Sequence, residues 1–183
     1  MKSQLTKITK FTAFIGIIFL GACSGEGPQN AEDATPEKME TESEINDETA
    51  DLSFENDMTG KAFRHYVQIE ESLFDSDFDA AKEAANNLSE TLTAESETLK
   101  TMASDMADSE NIEDLRKHFF SFSKEAEAFF SEALVEGTIY KQFCPMAFDN
   151  EGAFWIADVK EINNPYFGER MPHCGKTVEI INK

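Results

Sequence analysis

Between residues 58 and 133 apolar side chains recur every three or four positions in three successive runs, and this periodicity limits the fold more than any other feature of the chain. The first run is Met58, Ala62, Phe63, Tyr66, Val67, Ile69, Leu73 and Phe74. Asp75-Ser76-Asp77 ends it, and Ser76 or Asp77 can cap the next helix. The second run is Ala81, Ala85, Leu88, Leu92, Leu99, Met102 and Met106, with Glu95 interrupting. After the turn at Asp108-Ser109-Glu110, Asn111 is a good N-cap, and Glu113 and Asp114 suit the positive end of the helix dipole. The third run is Ile112, Leu115, Phe119, Phe122, Ala126, Phe129 and Ala133, with Gly137 as the expected C-cap. Short turns between three such stripes predict a mainly α domain, an antiparallel three-helix bundle. Met102 and Met106 continue a leucine stripe and read as core. His65 and His118 read as solvent-facing or hydrogen-bonded rather than as ligands.

Beyond Gly137 the pattern changes. Residues 138–143 and 176–181 are rich in β-formers and read as strands, and residues 153–157 as a second strand or an apolar plug. The expectation is a small C-terminal β-element carrying a Cys/Met cluster. Residues 58–183 are one domain by size and hold the only Trp and all three His.

Upstream the chain cannot form a core. Residues 24–57 contain 12 Asp or Glu against a single basic residue, Lys38, so they bury too little apolar surface to offset their ordering entropy. Residues 23–57 are therefore expected to be an acidic tether, spanning about 30 Å as a flexible coil. Residues 1–22 read as a signal peptide: Lys2, Lys7 and Lys10 precede a short uncharged apolar run. The run is too short to span a bilayer. Leu20-Gly21-Ala22-Cys23 resembles the lipobox of bacterial lipoproteins, which implies a lipid on Cys23 and anchoring in the cell envelope, facing the periplasm or the outer surface. The formal net charge of −20 falls to about −23 once the three leader lysines are removed, a surface that repels nucleic acid and favours cationic partners.

With Cys23 assigned to the lipid, two cysteines remain, Cys144 and Cys174. Each comes with a methionine, in Cys144-Pro145-Met146 and in Met171-Pro172-His173-Cys174. If strands bring the cysteines together, Met146 and Met171 come with them, and His173 can join. Thiolate and thioether are soft donors suited to Cu(I), whereas zinc accepts Cys and His but is rarely held by Met. The competing expectation is a plain disulfide, worth about 3–4 kcal/mol for a loop of this length in an oxidising compartment, with Met146 and Met171 as fillers.

The segment from Tyr140 to Gly175 also carries Cys144-Pro145-Met146-Ala147, Trp155, Glu161-Ile162, Asn164-Pro165-Tyr166, Gly168, Met171 and Cys174-Gly175. In this pattern it resembles an uncharacterised family of helical domains found in exported lipoproteins and fused to heavy-metal or copper efflux adaptor proteins. The resemblance implies a copper-handling role, with Cys144, Met146, Met171 and Cys174 as the metal set and an efflux adaptor or another envelope protein as partner. Asn164 to Gly168 is turn chemistry that aims Met171 and Cys174. No phosphate loop, zinc-protease motif or nucleophile elbow is present, and the cysteines are too far apart in sequence for a Cys-x-x-Cys redox motif, so an enzyme is not expected.

Overall fold

The computed structural model describes residues 52–183, so the expectations about the signal peptide, Cys23 and most of the tether fall outside the described residues. Four helices dominate: α1 (Asp57–Phe74), α2 (Phe78–Thr91), α3 (Glu97–Ala107) and α4 (Ile112–Ala133). Their starts follow local chemistry. The side chains of Asn56, Asp77 and Asn111 accept hydrogen bonds from the otherwise unpaired amides of Thr59, Ala80 and Asp114.

The second apolar run is two helices, not one, and this corrects the three-helix expectation. Helix α2 stops at Thr91, Leu92 is extended, and a 3-10 turn at Ala94–Ser96 leads into α3. No large apolar side chain lies between Leu92 and Leu99, so no burial rewards a continuous helix there. The reversal is held by Lys100 Nζ, which donates to Leu92 O at 3.1 Å, and by the hydroxyls of Ser89 and Ser104, 2.7 Å apart. Consecutive helices pack on one another, and α4 returns against α1.

Gly137 does not cap α4. The helix ends at Ala133 and runs directly into β2 (Leu134–Glu136), and Gly137, at φ 101°, turns the chain from β2 to β3. Strand β2 pairs with β1 (Ser53–Phe54), whose Phe54 ring packs on Phe63 and Phe130. The packed chain therefore begins before Met58. A second antiparallel sheet places β3 (Thr138–Cys144) between β4 (Ala153–Ala157) and β5 (Lys176–Asn182). All three strands fall where the β-formers predict them.

Tyr66 joins helices to sheet. Its ring, fully buried, packs against Phe119, Phe122 and Phe130 of α4. Ser123 Oγ donates its only proton back to Phe119 O, so Tyr66 OH donates to Ser123 Oγ at 2.8 Å and accepts from the Ile156 amide of β4 at 3.1 Å. Arg116 of α4 does the same at the other end of α1. It is 3 % exposed. Its Nε donates to Pro165 O at 2.8 Å, its Nη2 to Leu73 O at 2.9 Å, and its Nη1 to Glu113. Gly168, at φ +54°, lets the loop press against the end of α1, where a Cβ would meet Phe74 O at 2.7 Å.

Replacing Arg116 by Met should cost about 2–3 kcal/mol in urea unfolding, because Pro165 O loses its guanidinium donor and Leu73 O keeps only the Ser76 amide. Arg116→Lys should recover little of this, since an ammonium cannot serve both carbonyls with a planar fork. Full recovery by lysine would show that charge rather than geometry holds the loop.

Candidate functional site

Strand register brings the two cysteines together. Cys144 is the last residue of β3, opposite Ala153 of β4, and Phe143 pairs with Lys176 of β5. That pairing sets Cys174, just ahead of β5, beside Cys144. The sulfurs are 3.3 Å apart and both thiols are free. Cys144 is fully buried and Cys174 partly so. Burial, and then the neighbouring Cys144 thiol, raises the pKa of Cys174, so its sulfur carries a proton at neutral pH. The backbone at Gly175 passes so close to Trp155 that a Cβ there would sit 3.2 Å from Trp155 Cη2.

The turn preceding Cys174 is organised by one buried amide. Asn164 is 0 % exposed. Its Oδ1 accepts from the amides of Tyr166 and Phe167, its Nδ2 donates to Cys174 O at 2.6 Å, and its own amide donates to Pro172 O. The sequence marks this segment as a turn. Only the structure shows that the Asn164 side chain ties the turn to Cys174. His173 is outside the sulfur pair: its Nδ1 lies 2.9 Å from Ile162 O, and since a carbonyl can only accept, Nδ1 donates. His65 bonds to Gln68 and His118 lies 3.9 Å from Asp114, both away from the cysteines in sequence and on exposed helix surface.

The methionines occupy a different place. Strand β3 ends at Cys144, and residues 147–150 form a tight turn in which Phe148, Asp149 and Asn150 all have positive φ. Asn and Asp tolerate this conformation, but for Phe148 it costs about 1–2 kcal/mol. Packing holds it: the Phe148 ring stacks on Phe120 and meets Tyr166 edge-on. The turn forms one wall of an open groove of about 420 Å³, to which Met146, Phe148, Tyr166, Phe167 and Met171 contribute. Glu113 and Arg170, paired at 3.0 Å, also line it. Met146 is 47 % exposed. Cys144 and Cys174 are not among the groove's lining residues. Of the four expected residues, the two thiols thus lie side by side and the two thioethers line a shared groove.

The sulfur separation decides what small movement could do. A disulfide would need the sulfurs to close by about 1.3 Å. A tetrahedral ion with bonds of about 2.3 Å holds its thiolates about 3.8 Å apart, which needs a spread of only about 0.5 Å. Among the described residues no three His, Cys, Asp or Glu side chains come together as a cation site. Any further donor at the thiol pair would therefore be something other than those side chains, and thioethers are the nearest in sequence.

Behind the sheet lies a buried acid that the sequence does not single out. Glu70 of α1 is 3 % exposed. Burial first, and then the negative charges of Asp158 and Glu71, raise its pKa well above the usual carboxylate range. Trp155 Nε1 has no partner of normal hydrogen-bond geometry, and its attraction for the carboxylate offsets the rise only in part. Gln142, the cross-strand partner of Trp155, donates from Nε2 to Val159 O and Glu161 O while its Oε1 is buried without a partner. A glutamate inside the apolar stripe of α1 is visible in sequence, but its i+1 neighbour Glu71 makes it look like surface.

Two outcomes follow. Asn164→Ala should destabilise the fold by about 2–3 kcal/mol and raise native-state alkylation of Cys174, read by mass spectrometry, about tenfold or more; an unchanged rate would mean that the turn is held otherwise. Glu70 has a folded-state pKa above its unfolded value of about 4.3, so its contribution to stability is complete below that pH and is lost as pH rises through the folded pKa. The urea midpoint of the Glu70→Gln variant should therefore gain on that of the unsubstituted chain between about pH 4 and pH 7. Parallel pH curves would contradict the assignment.

Residues 62–136, from within α1 to the end of β2, match the model of a family described as Protein of unknown function (DUF3347). No curated protein and no solved structure matches the chain. The matched residues stop before Tyr140, so the Cys/Met segments lie outside them. The match thus covers the helical part of the chain and the short strand β2 that follows it, and similarity to this family is limited to those residues.

Proposed function

We propose that this chain is an exported lipoprotein, anchored to a membrane of the cell envelope through Cys23, that binds Cu(I) or a related soft metal in a copper-handling or efflux context. In this reading Cys144 and Cys174 are thiolate donors and Met146 and Met171 thioether donors, the partner is an efflux adaptor or another envelope protein, and the chain is not an enzyme. The observation that carries it is the pair of free thiols 3.3 Å apart, closer to the spacing of a metal dithiolate than to that of a disulfide. The donor chemistry supports it further: thiolate with thioether suits a soft ion and excludes hard cations such as magnesium. Its acidic surface favours approach of cations and gives no purchase to nucleic acid. No helix among the described residues is long and apolar enough to cross a membrane.

The test is an anaerobic Cu(I) competition titration against a coloured chelator, using the reduced chain without residues 1–23. Trp155, the only tryptophan, lies beside the site through Gly175 and gives a fluorescence readout. One equivalent should bind with a change in Trp155 emission, and Cys144→Ser/Cys174→Ser should abolish both. Equal binding by that variant, or none by either, would leave a disulfide-stapled protein-interaction domain as the better account.

A further inference from the structure

We propose that Met146 and Met171 form a capture site for a soft monovalent cation at the groove, from which the ion passes to the Cys144–Cys174 pair. The inference rests on the metal-binding reading above and divides its four donors by task.

Access is the first argument. Cys144 is fully buried and Cys174 partly so, and Met146 is the most exposed of the four donors. Met146 is one of the few large apolar side chains left substantially exposed, and it shares its groove with Met171. The groove, at about 420 Å³, has room for an ion together with part of the molecule that delivers it. Neither cysteine lines it.

Placement is the second. Met146 follows Cys144 by two residues, across the turn that ends β3. Met171 precedes Cys174 by three and is fixed to it, since the Cys174 amide donates to Met171 O and the Met171 amide to Gly168 O. The wall beside Met146 is stiff, because the turn at 147–150 is clamped by the Phe120 and Tyr166 rings. A flexible thioether on a rigid backbone can rotate between solvent and interior without moving the fold.

Proton balance is the third. A thioether is neutral and loses no proton on binding, whereas a thiol becomes a thiolate donor only by giving its proton up. At the groove two sulfur–metal bonds form as bonds from the ion to water or to its delivering ligand break, and no proton leaves the protein. On transfer those bonds break, two thiolate–metal bonds form, and two protons pass from the thiols to water. Oxidation state does not change in either step.

The experiment is stopped-flow transfer of Cu(I) from its chelator complex to the reduced chain lacking residues 1–23, followed by Trp155 emission, with equilibrium affinity measured on the same samples. Met146→Leu/Met171→Leu preserves volume, and its urea midpoint checks the fold. Equilibrium affinity should stay within about threefold while transfer slows about tenfold or more, a change in rate rather than in binding strength. In a Cys144→Ser/Cys174→Ser background, weak Ag(I) binding should persist and vanish when the methionines are also replaced. A loss of affinity of about a hundredfold in the methionine variant would overturn the division, making the thioethers ligands of the final site. Unchanged rate and affinity would overturn the capture site alone. Failure of the unsubstituted chain to bind Cu(I) would overturn the metal reading itself.

Discussion

The guanidinium of Arg116 fixes the relation between the helical body and everything that follows it. It sits where the end of α1, the middle of the Asn164–Gly168 turn and the first turns of α4 meet, and it donates to a carbonyl from each of the first two. Leu73 O also accepts from the Ser76 amide at 3.2 Å, so the guanidinium matters most to Pro165 O. Glu113 compensates the charge from the solvent side and also meets Arg170 in the next turn. The loop that carries Met171 and Cys174 thus inherits its position from a helix outside the sheet altogether.

Tyr66 provides the second attachment, and the two act on different parts of the site. Its hydroxyl holds the backbone of β4 at Ile156, and β4 sets the register of β3 and so of Cys144. Arg116 sets the loop and so Cys174. Lys141 of β3 adds a surface contact, pairing with Glu127 of α4 and lying over the Phe154 ring. The sulfur pair is the point where these two lines of positioning meet, and Asn164 joins the last residues of the loop to Cys174.

Much of this architecture is legible in the amino-acid sequence, and where it is not the causes are local. The stripes of α1 and α4 mark helices because each turn of the period carries an apolar residue. Leu92 to Leu99 resembles one more skipped turn, but a six-residue gap without a large apolar side chain offers a helix nothing to bury. Gly137 resembles a C-cap because nothing in sequence separates a glycine that ends a helix from one that turns between strands. Within the site, adjacency of Cys144 and Cys174 follows from placing strands on both. The expectation that Met146 accompanies Cys144 requires the chain to stay extended, and Pro145 and the turn behind it end the strand at the cysteine. Arg116 and Asn164 are hidden for another reason: each is a polar side chain whose partners are backbone carbonyls and amides, which leave no trace in residue type.

The lengths of chain spanned by these contacts carry a consequence for how the molecule assembles. The helical turns and the reversals between neighbouring helices join residues a few positions apart, and they can form early at little cost in chain entropy. The bond from Ile156 to Tyr66 closes 90 residues, that from Arg116 to Pro165 closes 49, and the sulfur pair itself closes 30. The first two wait for the sheet and its loop to lie on the helices. The sulfur pair closes within the sheet segment itself, so by loop length the cysteines can meet before Tyr66 and Arg116 lock that segment in place.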